Sequence, residues 1–336
     1  MKPPAGIKGV AARAGVSVGT VSNVLNRPEL VKTATRERVL AAMRELSFVR
    51  NESARQLRAG RSRTIGLVVL DIGNPFFTDV ARGAEEAAFN AGLAMMLCSS
   101  EDQLEREQRY LDLFEEQRVQ GVLVSPVGDD STGIARLQRR GTPVVLVDHR
   151  SRRRSRCSVA VDDIHGGYLA MRHLLALGHT KVAYVGGPTD LAQVRDRRLG
   201  AERAVEEAGR KPGSLRVIET ALTTVADGRA AAVLLAAGAA TRRPTGVFCA
   251  NDLIAIGMLQ ELMALGFRIP HDIALIGYDD IDFAAAAAVP LSSVRQPRHE
   301  LGRKAAELLI EEASSPGSHR HQQVLFEPEL VIRDST

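Results

Sequence analysis

A small all-α head followed by a two-lobed α/β body built on parallel sheets is the fold class the sequence predicts, and three observations predict it. Residues 7–26, IKGVAARAGVSVGTVSNVLN, read as two short helices about a glycine turn. From Thr64 onward, short apolar runs alternate with helical stretches, and the rhythm occurs twice. Charge is divided along the chain. Residues 1–63 carry 13 Lys or Arg against 4 Asp or Glu, whereas all 336 residues carry 44 against 40.

In the head, Ile7, Val10, Ala11 and Ala14 recur at i, i+3, i+4 and i+7, which places them on one helical face. Gly15 tolerates the positive φ that a tight turn between helices demands. Ser17 is a candidate N-cap for the second helix, its hydroxyl accepting from a free backbone N–H. Val21 and Val24 face one side of that helix, and Val18, Gly19, Ser22 and Asn23 the other. This is a helix-turn-helix pattern whose outer face can reach base edges. Ser17, Val18, Gly19, Thr20, Ser22, Asn23 and Asn26 are the candidate DNA-facing residues. The alternative is a helical hairpin that only packs, but a basic head on a mildly acidic body is the asymmetry expected of a chain that neutralises phosphates at one end. Pro28 marks a loop, and Thr33 is expected to cap a third helix running to about Leu46, with Val39, Leu40, Met43 and Leu46 at helical spacing. Residues 47–63, SFVRNESARQLRAGRSR, are basic, poor in large apolar side chains and bounded by Gly60, a linker composition. The expected domains are 1–50, a helix-turn-helix DNA-binding domain; 51–63, a linker; and 64–336, a two-lobed body.

In the body, TIGLVVL, LAMMLCSS, GVLVS and PVVLVD read as strands, with helices at 76–91, 104–118 and 132–140. The pattern returns in KVAYVGG, LRVIE, GVFCA and IALIGY, with helices near 195–209, 225–237 and 251–265. Alternation of this kind implies parallel sheets with right-handed crossovers, and two blocks imply two lobes. Open parallel sheets bind ligands outside the carboxyl ends of their strands. Asp71, Asn74, Phe76 and Phe77 follow the first strand there, with Pro75 opening the next helix, and one of the two phenylalanines is expected to pack beneath that helix. Asp148 ends PVVLVD and Asp162 ends SVAVD, so both carboxylates are expected at the cleft, where either can accept from a sugar hydroxyl.

Composition and missing motifs exclude several classes. The N-terminus has no apolar h-region and no run of about 18 apolar residues occurs, so neither a secretory signal nor a transmembrane helix is expected, and the predicted location is the cytoplasm. Cys98, Cys157 and Cys249 lack the paired spacing of a zinc set and read as buried thiols of a reducing compartment. The histidines form no HExxH pattern, and His319 and His321 flank Arg320 in an expected surface loop, so neither metal nor other cofactor is predicted. Nor is there a phosphate-binding loop of the GxxxxGK[ST] type or a Gly-x-Ser-x-Gly elbow. Cleft carboxylates stand without a positioned nucleophile, and an enzyme is not expected.

The stretches VAARAGVSVGTVSNVLN, TRERVLAAMRELSF, NESARQLRAGRSRTIGLVV, DIGNPFFTDVARGAEEAA, GVLVSP, LLALGHTKVAYVGGP, DRRLGAERA, FCANDLIAIG and ALIGYDDIDFAAAAAVPLSSVRQP occur in an order that closely resembles the LacI/GalR family of bacterial transcription regulators. The resemblance implies a periplasmic-binding-protein-like body with a small-molecule effector between the lobes, and a homodimer binding near-palindromic double-stranded operator DNA. By the same resemblance NESARQL matches the hinge helix, with Leu57 as the minor-groove wedge and Ala54 as the small residue between paired hinges. Arg50 stands where many relatives have proline, and Lys32 where a serine cap is usual. Arg197 matches the residue that clamps the effector, its guanidinium offering a rigid fork of donors. Asp252 and Asp279 resemble ligand contacts, with Asn251 and Asp280 capping backbone. The family pattern also implies that residues 292–322 return to the first lobe and 323–333 finish in the second. The alanine run at 284–288 either widens the cleft or packs a helix more tightly. The function implied is a repressor of carbohydrate-utilisation genes controlled by a sugar-like effector, with no membrane partner. A solute-binding protein of a transporter is the rival, and it lacks the signal that export requires.

Overall fold

The computed structural model describes residues 6–48, 62–128, 132–151, 153–211 and 214–336. The chain divides into two compact units, one up to Arg61 and one from Ser62 to Thr336. Residues 51–61 of the expected hinge and linker, Ala54 and Leu57 among them, lie outside the described residues.

Among its described residues the head holds three α-helices, Ile7–Ala14, Val18–Asn26 and Thr33–Glu45. Gly15 closes the first at φ 66°, and Ser17 caps the second by accepting from the Thr20 backbone N–H at 3.0 Å. Val10, Ala11, Ala14, Val21, Val24, Val39 and Ala42 form the buried core, an apolar seam shared by all three helices. Thr33 is the first residue of the third helix and not its cap. Lys32 takes the cap position without a side-chain hydrogen bond, so the orphan N–H groups there lack the usual hydroxyl acceptor.

The body contains two six-stranded sheets. The first is assembled from β1 (Thr64–Val69), β2 (Ala94–Ser99), β3 (Val122–Val124), β4 (Val144–Val147), β5 (Ser158–Val161) and β11 (Gln323–Phe326) in the order β11-β5-β4-β3-β1-β2, parallel throughout. The second takes β6 (Val182–Gly186), β7 (Arg216–Glu219), β8 (Gly246–Cys249), β9 (Ala274–Asp279), β10 (Ser292–Arg295) and β12 (Glu329–Val331) in the order β12-β10-β9-β8-β6-β7, antiparallel only between β10 and β12. Central strands such as β3, β4 and β8 are buried along their whole length, as parallel strands covered on both faces must be.

The chain crosses between lobes three times: after β5, after β10 and after β11. The helix Arg298–Ser314 packs on the first lobe, against the helix Pro75–Asn90. Residues 323–326 also stay in the first lobe, paired with β5 from Gln323↔Ser158 to Phe326↔Val161, and only β12 returns to the second. The expected return to the first lobe at 292 thus begins only after β10, whose residues 292–295 pair with β9 in the second, and the expected change of lobe at 323 is displaced to the short connection between Phe326 and Glu329. Long-range strand pairing decides this, and local periodicity does not report it.

Three helix pairs meet backbone to backbone through reciprocal glycines. A Cβ on Gly83 would lie 1.9 Å from the His299 carbonyl oxygen and one on Gly302 1.8 Å from that of Val80. Gly167 and Gly200 do the same between the helices Asp163–Ala176 and Ala192–Glu207, and Gly228 and Gly257 between Val225–Ala236 and Asp252–Ala264. Only glycine permits this approach.

Candidate functional site

On the head, the outward face of Val18–Asn26 is spare. Val18 is 40 % exposed, and Gly19 and Asn23 are exposed beside it. Ser17 and Thr20 share a hydroxyl–hydroxyl hydrogen bond of 2.9 Å at the helix start, leaving both oxygens at the surface. Asn26 turns back to donate to the Ser22 carbonyl at 2.9 Å. The exposed Asn23 side chain takes part in none of these local hydrogen bonds.

In the body, the strand ends of both lobes face one small cavity, about 40 Å³, lined among others by Asp71, Asn74, Phe76, Phe77, Asp148, Arg197 and Asp279. Seven of the eight expected effector residues are thus brought together. Asn74 caps the helix Pro75–Asn90 by accepting from the Phe76 N–H at 3.0 Å, and Pro75 occupies its first turn. Both phenylalanines are buried, edge to face at 5.0 Å between centroids, and both reach the cavity wall; neither is confined beneath the helix. Asp71 folds over its own loop and accepts from the Gly73 N–H at 2.7 Å.

Arg197 projects from the helix Ala192–Glu207 into a buried carboxyl cluster. Its Nε donates to Asp163 at 2.7 Å, its Nη1 to the Ala250 carbonyl at 2.7 Å, and Asp279 stands 3.6 Å away. The guanidinium lies over the Tyr278 ring, 3.7 Å from the centroid. Burial opposes its charge, but Asp163 and Asp279 more than offset that and hold it firmly protonated. Asp279 accepts from Gln296 at 2.8 Å and from Asn74 at 3.3 Å, and burial pushes its pKa up to about 6 against the pull of Arg197. Asp148 lies deeper in the charge balance. Burial and then Asp163 hold its carboxyl well above the usual range, against Arg197 and the hydrogen bond from Gln193. One guanidinium cannot neutralise three buried carboxyls, and burial biases Asp148 toward its neutral form. Its Oδ1 has no hydrogen-bond partner among the described residues. Asp148 and Asp279 sit at φ 54° and 103°, a left-handed backbone uncommon outside glycine, at the ends of β4 and β9.

Two expected residues are elsewhere. Asp252 is wholly buried beneath the site, where it accepts from Ser293 Oγ at 2.6 Å and the Ile281 N–H at 2.8 Å; it braces the loop after β9 and does not line the cavity. Gly277 makes room for it, since a Cβ there would lie 2.0 Å from its Oδ1. Asp162 caps the helix Asp163–Ala176 by accepting from the His165 N–H at 3.0 Å. Asn251, expected only to cap, does so at 2.9 Å to Ile254 but also lines the cavity. Asp280 is bound away from the cavity by Arg295 and Arg333, each at 2.7 Å. The alanine run is divided: Ala284 is fully buried in the short helix Asp282–Ala285, while Ala286, Ala287 and Ala288 border a separate apolar groove with Leu253, Ile256, Met263 and Phe283.

Sequence reasoning missed Gln193, Asp102, Thr223 and Asp163. Gln193 follows the loop after β6, a strand-end position that is the signal that marks it. Asp102 lines the cavity with its pKa raised to about 6 by burial and by Asp71.

Two family models match the chain: bacterial regulatory proteins of the lacI family over residues 6–51, and a periplasmic binding protein-like domain over residues 171–336. The HTH-type transcriptional repressor PurR of Photobacterium profundum is 35 % identical over 332 residues, 98 % of each chain. The chain belongs to the LacI family. Among solved structures, the transcriptional regulator CelR in complex with cellobiose is 31 % identical, with a TM-score of 0.71 over 99 % of this chain and 100 % of that one. A LacI-family regulator from Enterococcus faecium with bound ribose is 30 % identical, with a TM-score of 0.74 over 81 % of this chain and 98 % of that one. A LacI-family chain with this head is a DNA-binding transcription regulator. No helix among the described residues is long and apolar enough to cross a membrane.

Proposed function

We propose that this LacI-family protein is a dimeric repressor of carbohydrate-utilisation genes whose grip on a near-palindromic operator is set by a small sugar-like effector between the lobes. The observation that carries the reading is that the cavity is closed by hydrogen bonds across the lobes: Asn74 to Asp279, and Gln193 to Asp148. A ligand that enters must replace or rearrange those bonds, so its binding energy is spent directly on lobe geometry. The unpartnered Oδ1 of Asp148, an ionised Arg197 and the acceptors of Asn251 and Asp279 suit a polyhydroxylated molecule, which both donates and accepts, and Phe76 and Phe77 offer it an apolar wall. The relatives solved with cellobiose and ribose support the same ligand class.

Dimerisation is supported by the apolar groove beside the alanine run, where Phe283 is 60 % exposed and Met263 43 %. A second copy of the chain would cover it. Two heads would then set their second helices in successive major grooves, with Leu57 and Ala54 of each hinge at the minor groove between them. The two ligands are linked reciprocally: whatever factor the effector imposes on operator affinity, the operator imposes on the effector.

A thermal-shift screen of mono- and disaccharides, followed by operator binding with and without each hit, tests the whole reading. A sugar that raises the melting temperature and changes operator affinity is the expected result, while chemical turnover of a bound sugar would replace it with an enzyme. The hinge assignment is tested separately. Leu57→Ala should weaken operator binding at fixed salt and leave sugar affinity intact, and unchanged operator affinity would refute it.

A further inference from the structure

Outside the cleft, the first lobe gathers four metal-ligating side chains from distant parts of the chain: Cys157, Glu312, His319 and His321, whose ligand atoms all lie within 4.8 Å of one another. Cys157 immediately precedes β5, Glu312 is in the last turn of the helix Arg298–Ser314, and the two histidines lie on the loop that leads into β11. We propose that this cluster is a binding site for a divalent transition metal of the Zn²⁺ class.

The distances suit a tetrahedral centre. Cys157 Sγ is 3.1 Å from His319 Nε2 and 3.8 Å from His321 Nδ1, and His321 Nδ1 is 3.8 Å from Glu312 Oε2. Around zinc, with Zn–S near 2.3 Å and Zn–N or Zn–O near 2.0–2.1 Å, ligand atoms at tetrahedral angles stand roughly 3.3–3.6 Å apart. One thiolate, two imidazoles and one carboxylate are a donor set that Zn²⁺ accepts and that Mg²⁺ or Ca²⁺ do not favour. Thiolate and carboxylate together also neutralise a dication.

The surroundings are those of a built site. Cys157 is fully buried and the His319 side chain is 1 % exposed. Nε2 of His319 faces the sulfur, and its buried Nδ1, without a hydrogen bond among the described residues, stands 3.4 Å from Glu311 Oε1, the side from which a carboxylate can orient a metal-bound imidazole. The Gln322 backbone N–H donates to Cys157 Sγ at 3.2 Å and so fixes the direction in which the sulfur points. Glu312 Oε2 is buried without a hydrogen-bond partner among the described residues. No spacing in the sequence announces the set, because Cys157 is brought to Glu312 and the histidines only by the pairing of β11 with β5. A bound ion would fasten β11, the edge strand that precedes the last lobe crossing, to the helix and strand beside it.

Tag-free full-length protein, stripped with a chelator and titrated with Zn²⁺ against a chromophoric competitor, tests the site. One ion per chain with Kd tighter than about 1 μM is expected, and Co²⁺ substitution should give a thiolate-to-metal charge-transfer band that Cys157→Ser abolishes. His321→Ala, on the surface side of the cluster, should weaken Zn²⁺ at least ~10-fold with the circular dichroism spectrum unchanged, and Glu311→Gln should weaken it by about 10- to 100-fold. No binding at micromolar Zn²⁺, or equal binding by parent, Cys157→Ser and His321→Ala, would overturn the proposal.

Discussion

Gln193 donates through one amide nitrogen to both the carbonyl and the carboxyl of Asp148, at 2.7 and 2.8 Å, and so ties the second lobe to the end of β4 in the first. The bond is buried, and it joins two backbones of which one is held in a left-handed conformation. It is one of two polar latches across the cavity, the other being Asn74 to Asp279.

Gln193→Ala should therefore cost stability out of proportion to its size. It leaves two acceptors of Asp148 buried without their donor, a penalty of about 1–3 kcal/mol, which corresponds to roughly 2–4 °C of melting temperature per kcal/mol for a body of this size. Differential scanning fluorimetry on parent and variant reads the effect. An unchanged melting temperature would mean that water replaces the latch without loss.

Asp279 gives the body a pH dependence whose sign is fixed by its raised pKa. Its ordinary value is 3.8 and burial lifts it to about 6, so the folded state binds this proton more tightly than the unfolded chain. The stability that the proton contributes is fully present below about pH 4 and is lost as pH rises through about 6. Asp279→Asn removes the titration. Across pH 4–7 the parent should lose stability relative to the variant by on the order of 3 kcal/mol, measured by urea unfolding at each pH. A constant difference between the two proteins would place the titration elsewhere.

Arg197 is a buried cation among carboxyls and, in the proposed reading, also a contact to the effector, so its substitution must separate the two. Removing it strands Asp163 and Asp279 in a buried site, a loss of about 3–5 kcal/mol. Arg197→Met combined with Asp163→Asn removes charge from both sides and should recover a large part of that stability. In the refolded double variant operator binding should remain near normal while the response to effector is lost, because the head is untouched and the charged ligand contact is gone. Release of operator at the parent's effector concentration would reduce Arg197 to a structural cation.

The head and both lobes were legible in the sequence because local signals specify them: the seam from Val10 to Val24, and apolar runs short enough to be buried strands. Position along a strand also predicted which loops line the cleft, and Asp71, Asn74, Asp148 and Asp279 arrive there for that reason. What local signals cannot carry is depth. Asp252 and Asn251 are neighbours at one helix start, yet Asp252 turns under β9 because Gly277 leaves a space and Ser293 a donor, while Asn251 stays at the cavity wall. The destination of residues 323–326 and the gathering of Cys157 with the histidines depend on pairing between segments more than 150 residues apart, for which a single sequence holds no local signal.

The last prediction concerns sequence preference at the operator. On the outward face of the second helix Val18 can offer only an apolar contact, for instance to a thymine methyl, and Gly19 has no side chain. Ser17 and Thr20 are engaged with each other, and Asn26 with Ser22, which leaves Asn23 as the main hydrogen-bonding reader of a base edge. An asparagine suits the paired donor and acceptor of adenine, and an arginine suits N7 and O6 of guanine, each pairing discriminating by about 1–3 kcal/mol. Asn23→Arg should therefore move preference toward guanine at one symmetric pair of positions. The new charge lies against the same groove, so the salt dependence of binding should stay nearly as it is or become slightly steeper. Selection of sites from a random DNA pool by parent and variant gives the answer directly. Identical consensus sequences would mean that Asn23 faces the phosphate backbone, and that Val18 and DNA shape carry the preference instead.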